Sequence, residues 1–206
     1  MENNLVNSIL ILYKERNWRS IVSEYHDHPD RSKLLWVFPD EKNFDFLRDG
    51  VIDNGCDSII SVGCGSGLLE WMIIEATGLP VTGIEVDSAW WQCKYAPPTF
   101  IPLILTSPTI DNSTSSLLQN AKTSALLFCY FNSRIAFDEY LKHYSGHLLV
   151  IIGPGYGKGV HTDPSPFDDL GEEWILYKSQ EVRNSKDYIA FYKRLKKNES
   201  NYTNGF

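Results

Sequence analysis

The order of apolar segments predicts an α/β protein with a Rossmann-like, doubly wound, mostly parallel seven-stranded sheet that ends in a C-terminal antiparallel β-hairpin. Three observations predict it. Short, nearly continuous apolar runs alternate with helix-patterned segments from residue 57 to residue 152, as strands buried on both faces do. A glycine-rich turn, Gly63-Cys64-Gly65-Ser66-Gly67, joins the first run to its helix. The last two strand segments are separated only by residues 183–187, a loop that joins antiparallel neighbours and is too short for a parallel crossover.

The elements follow in order. Leu5, Ile9, Leu12 and Tyr13, continued by Trp18 and Ile21, carry a helical stripe over residues 5–25. A second helix follows Pro39, with Asp40 as N-cap and Gly50 as its stop. Strands are expected at 57–62, 81–85, 101–106, 125–130 and 147–152. Between them, residues 68–77 form a helix stopped by Gly78 and Pro80, and Phe137, Tyr140 and Leu141 lie on a helix ending at Gly146. Residues 174–182 and 188–195 form the hairpin. We divide the chain into a helical segment, 1–50, that packs on a core domain, 51–195, and a polar, Asn-rich tail, 196–206.

Composition narrows the function. A chain of 206 residues is one ordinary domain. Its net charge of -7 argues against a nucleic-acid or anionic-membrane binder, which needs a basic surface. No apolar run approaches the ~20 residues of a membrane span, and the first residues lack the basic flank of a secretory signal. Cys56, Cys64, Cys93 and Cys129 form no CxxC pair, so neither structural zinc nor a disulfide framework is expected. Reduced thiols suit a cytoplasmic or nuclear protein.

The glycine turn is the strongest chemical signal. Glycines let the chain turn sharply and bring backbone against a ligand with no Cβ in the way, and the amides of the following helix are expected to face that ligand. Glu85 ends the next strand, where its carboxylate can accept from both hydroxyls of a ribose. The dinucleotide fingerprint needs a third glycine at the position of Leu68, which disfavours a nicotinamide oxidoreductase. Gly153-Pro154-Gly155-Tyr156-Gly157-Lys158-Gly159 is one residue short of a P-loop and has Gly where Ser or Thr would bind Mg²⁺.

Residues 60–67 resemble the first motif of class I S-adenosylmethionine-dependent methyltransferases, an acidic residue, any residue, then GxGxG. Glu85 matches the acidic residue ending their second strand, and the closing hairpin matches their antiparallel last strand. The resemblance spans roughly residues 35–194. Trp36-Val37-Phe38-Pro39 and Leu126-Leu127-Phe128-Cys129-Tyr130 are similar to a poorly characterised branch of that superfamily. Ser61 stands where the superfamily usually has Asp or Glu, and Tyr130-Phe131-Asn132-Ser133 lacks the Asn/Asp-Pro-Pro-aromatic signature of amino-group methylating enzymes. The resemblance implies S-adenosyl-L-methionine as cofactor and a small-molecule or protein methyl acceptor. It implies cofactor contacts from Phe38, Ser61, Gly63, Cys64, Gly65, Gly67, Glu85, Thr106 and Ser107, with Thr106 and Ser107 at the adenine edge. Tyr130 and Asn132 would border the methyl group. In the loop after the fifth strand, His161 could accept a proton near neutral pH, and the alternative reading, the stronger of the two, is an exposed loop histidine before the turn Thr162-Asp163-Pro164. A catalytically silent methyltransferase-like binding module is the alternative. No metal ligands are expected: His26-Asp27-His28 reads as a solvated helix end, and Gly146 breaks the spacing of His143 and His147. Trp90-Trp91 reads as aromatic packing near the cofactor side, and Lys193-Arg194-Lys196-Lys197 as a solvated strand end.

Overall fold

A computed structural model describes residues 4–195. The expected tail, 196–206, lies outside the described residues. The seven strands are β1 (Ser58–Val62), β2 (Val81–Glu85), β3 (Leu103–Leu105), β4 (Ser124–Cys129), β5 (Leu148–Pro154), β6 (Trp174–Val182) and β7 (Asp187–Arg194). They lie in one sheet of order β3-β2-β1-β4-β5-β7-β6. β1 to β5 pair in parallel, and β7 inserts antiparallel between β5 and β6. The α/β fold class and its closing hairpin are those expected.

Seven helices cover the faces: α1 (Asn4–Lys14), α2 (Trp18–Tyr25), α3 (Glu41–Ile52), α4 (Leu68–Thr77), α5 (Ser88–Trp91), α6 (Asn112–Gln119) and α7 (Arg134–His143). Side chains alternate along a strand, so β1 sends Ile59 into a core shared with α1 to α4 and Ile60 and Val62 into a core shared with α6 and α7. Ser61, between them, faces the α4 side. The order reverses between β1 and β4, and a doubly wound sheet opens its ligand crevice at the carboxyl ends of strands at such a reversal. No described helix is long and apolar enough to cross a membrane.

Several expectations are corrected. The stripe over 5–25 is two helices, because Arg16 adopts a left-handed φ of 54° and the Asn17 side chain caps α2 by accepting from the Ser20 amide. Gly50 lies inside α3, which ends at Ile52, and a Cβ there would sit 2.2 Å from Phe191 Cζ. It is glycine because α3 presses onto β7, not because the helix stops. The third strand shrinks to three residues, since Ile101 turns down to pack under Gly67 and Gly83. α5 and α6 were not expected. The polar sequence of α6 hides its period, but Asp111 caps it by accepting from the Thr114 amide.

Candidate functional site

β1 delivers the glycine turn to the reversal point. Gly63, Gly65 and Gly67 all take left-handed φ values, 69°, 58° and 76°, which a side chain would strain. Four of the turn's five amides are committed within the chain. Gly63 and Cys64 donate to Ile84 O and Gly67 to Cys64 O. Gly65 donates to Glu85 Oε2 at 2.8 Å, and Val86 donates to Glu85 Oε1 at 2.8 Å. The turn itself is therefore a poor cradle of free amides. Its contribution is bare backbone, and it holds the Glu85 carboxylate in place.

Three cavities meet at Gly63. The first, about 660 Å³, is bordered by Gly63, Glu85, Pro108, Thr109, Ile110 and Phe131, a volume suited to a cofactor-sized ligand. A Cβ on Gly63 would approach the Phe131 ring to 3.0 Å. A second, small cavity of about 90 Å³ lies on the other side of the turn, bordered by Trp36, Gly63, Cys64, Glu70, Cys129 and Tyr130. The third, about 590 Å³, opens outward from it between Trp36, Tyr130, Trp90, Trp91 and Tyr95.

The residues read from the sequence distribute unevenly over this site. Gly63, Cys64, Gly65, Glu85 and Tyr130 border the cavities. Cys64 is no nucleophile, since burial pushes its thiol far up. Gly67 lies beneath, closed off by Ile101. Phe38, expected to cover the pocket, is only 4% exposed and belongs to the α1–α4 core. Trp36, two residues earlier, is 52% exposed and stacks on Tyr130, ring centroids 5.6 Å apart at 21°. Thr106 and Ser107 are also corrected. The Thr106 hydroxyl is buried between Asp111 and Thr114, and Ser107 bonds Thr109 O, so Pro108, Thr109 and Ile110 border the cleft instead. The backbone and side-chain donors of Thr114, with the Ser113 hydroxyl, hold Asp111 down at about 2.

Tyr130 directly follows β4 with a left-handed φ of 51°, and its hydroxyl donates to Asp187 Oδ1 at 2.6 Å. Burial first, then Asp187, pushes its pKa well up, so it keeps its proton. Asp187 also accepts from Lys158 Nζ and Ser185 Oγ, each at 3.0 Å. Asn132 is exposed and bridges to Asp163. His161 is exposed and borders none of the three cavities.

Ser61 is fully buried, and its hydroxyl donates to Glu70 Oε1 at 2.6 Å. Glu70, in the first turn of α4, is 1% exposed, and its Oε2 has no hydrogen-bond partner. Burial pushes its pKa up to about 7, against the pull of the Ser61 hydrogen bond. Sequence reading passed over Glu70, Trp36 and Asp187. Glu70 was findable: Leu68-Leu69-Glu70-Trp71-Met72-Ile73-Ile74 is apolar on every side, so its acid cannot escape burial.

Neither a protein-family model nor a curated protein matches this sequence. Among solved structures, the chain is similar to a SAM-dependent methyltransferase from Aquifex aeolicus, at 16% identity, covering 85% of this chain and 97% of that one, with a TM-score of 0.44. It is also similar to an O-methyltransferase from Bacillus cereus in complex with SAH, at 12% identity, 94% and 92% coverage and a TM-score of 0.43. A SAM-dependent methyltransferase from Anabaena variabilis matches at 11% identity, 94% and 96% coverage and a TM-score of 0.44.

Proposed function

We propose that the chain is a methyltransferase that uses S-adenosylmethionine and acts on a small-molecule or protein acceptor. One observation carries this reading. The Glu85 carboxylate is fixed against the glycine turn at the wall of the 660 Å³ cleft, while four of the turn's five amides are spent within the chain. A pyrophosphate or triphosphate would need those amides free. A ribose needs an acceptor, and a carboxylate holding one amide on each oxygen keeps lone pairs for two hydroxyls.

The residues present fit an adenosyl ligand. Any side chain at Gly63 would close the gap to Phe131. Thr109 and Ile110 offer walls for a flat base. S-adenosylmethionine, when bound, supplies a sulfonium methyl group open to in-line displacement. The chain's own part is to bind, align and exclude water. Glu85 holds the sugar, the bare turn admits close approach, and the stacked Trp36 and Tyr130 wall the side open to an acceptor. Tyr130 serves as a wall and not as a base, because its proton stays on the bond to Asp187.

Isothermal titration tests the reading: S-adenosylmethionine and S-adenosylhomocysteine should bind with micromolar affinity. Glu85→Ala should weaken both by ~1–3 kcal/mol, the effect of orphaning polar partners. Absence of binding, or tighter binding of NAD, would sink it.

A second reading is a binding module that takes the cofactor without turnover. It is favoured by the exposure of Asn132, the absence of His161 from the linings of the three cavities and the committed Tyr130 hydroxyl. Cofactor binding with no transfer to any acceptor in a broad panel supports this module.

A further inference from the structure

Glu70 is a buried acid with one satisfied oxygen and one orphan. A buried polar atom without a partner is costly, and an ionised one far more so. Every titratable group that raises or feels its charge is acidic: Glu85 on β2, Cys64 in the turn and Cys129 on β4. No cation is among the influences on it. The small cavity it borders, about 90 Å³, has room for an ammonium on a short carbon chain. Ser61 does not play this part itself, since it does not border the cavity and its hydroxyl is engaged by Glu70.

We infer that Glu70 is the receptor for a primary ammonium group on the ligand, its Oε1 anchored by Ser61 and its Oε2 left for the ligand's N–H. The inference rests on the proposed function: the ammonium is that of the cofactor's amino-acid end, which enters the small cavity while the adenosyl group fills the large one. Glu70 is a binding and positioning residue, and no bond is made or broken at it.

The test compares two ligands by titration, S-adenosylhomocysteine, which carries the ammonium, and 5′-methylthioadenosine, which carries the same adenosyl group without it. Glu70→Gln should weaken S-adenosylhomocysteine by about 10–100-fold, the range for a buried charge-assisted hydrogen bond, and leave methylthioadenosine within about 2-fold. In the wild type, the preference for S-adenosylhomocysteine should fall as the pH drops from about 8 to about 6, because protonation of Glu70 removes its charge. Both ligands meet Glu85 alike, so its contribution cancels in the ratio. Burial keeps the Cys64 and Cys129 thiols protonated throughout. The wild-type ratio stands as a test even should Glu70→Gln fail to fold. A ratio flat with pH, or equal binding of both ligands by wild type and Glu70→Gln, overturns the assignment of Glu70. If neither ligand binds the wild type, the methyltransferase reading falls, and this one with it.

Discussion

Two buried carboxylates lie at the same end of the sheet, and their surroundings differ in kind. Asp187, at the start of β7, accepts from Tyr130, Lys158 and Ser185 and ties the tip of β4 and the loop after β5 to the closing hairpin. Glu70, on α4, has one partner, one orphan oxygen and acidic neighbours. A carboxylate that the chain saturates is structure. One that the chain leaves unsatisfied is a place kept for something else, at a standing cost in stability. The site is thus a rigid wall on the β4–β5–β7 side facing an unfinished pocket on the β1–α4 side.

Removing each acid sharpens the contrast. The largest effect should come from Asp187→Ala, which leaves the Lys158 ammonium, Ser185 and the Tyr130 hydroxyl without their shared acceptor. We expect a loss of about 3–5 kcal/mol, as for breaking one partner out of a buried ion pair, read from urea unfolding. A loss under about 1 kcal/mol would remove the distinction between the two acids.

Glu70→Gln should act in the opposite direction. Above its unfolded pKa the unfolded chain has released this proton, while the folded chain retains it up to about 7. Stability therefore falls as pH rises between those values, and the glutamine variant lacks that fall. The unliganded variant should be more stable than wild type by up to ~3 kcal/mol near pH 8 and no more stable near pH 5. A variant less stable than wild type at both pH values would mean that Glu70 is paid for inside the fold.

Tyr130→Phe should give the smallest change. It removes one neutral hydroxyl from Asp187, which retains Lys158 and Ser185, so about 1 kcal/mol is expected. The ring keeps its stack on Trp36, and cofactor affinity should be unchanged. A large loss of affinity with little loss of stability would make the hydroxyl part of the binding site.

Much of the architecture was legible before any coordinates. β1, β4 and β5 are largely apolar runs buried on both faces, a pattern that local composition announces. The glycine turn was legible because three left-handed φ values leave few alternatives to glycine. Gly50 misled, since a glycine near a helix end signals both a stop and a close approach, and only the position of Phe191 separates the two. Thr106 and Ser107 misled because a hydroxyl at a strand tip serves a ligand or its own loop with equal chemistry. Phe38 was expected to cover the pocket, and Trp36, two positions earlier, borders it instead. Which one faces the cavity depends on how the extended segment before α3 lies against the α1–α4 core.

By itself, the sequence determined the strand and helix periods, the hairpin closure and the turn that only glycines can make, because these follow from the local stereochemistry of the backbone and from which residues shun water. Only the tertiary structure decided that Tyr130 is bound to a carboxylate 57 residues away, that four of the turn's five amides are spent, and that Glu70 is left half-satisfied. Hydrogen-bond saturation belongs to groups brought together by the fold, and no spacing along the chain records it.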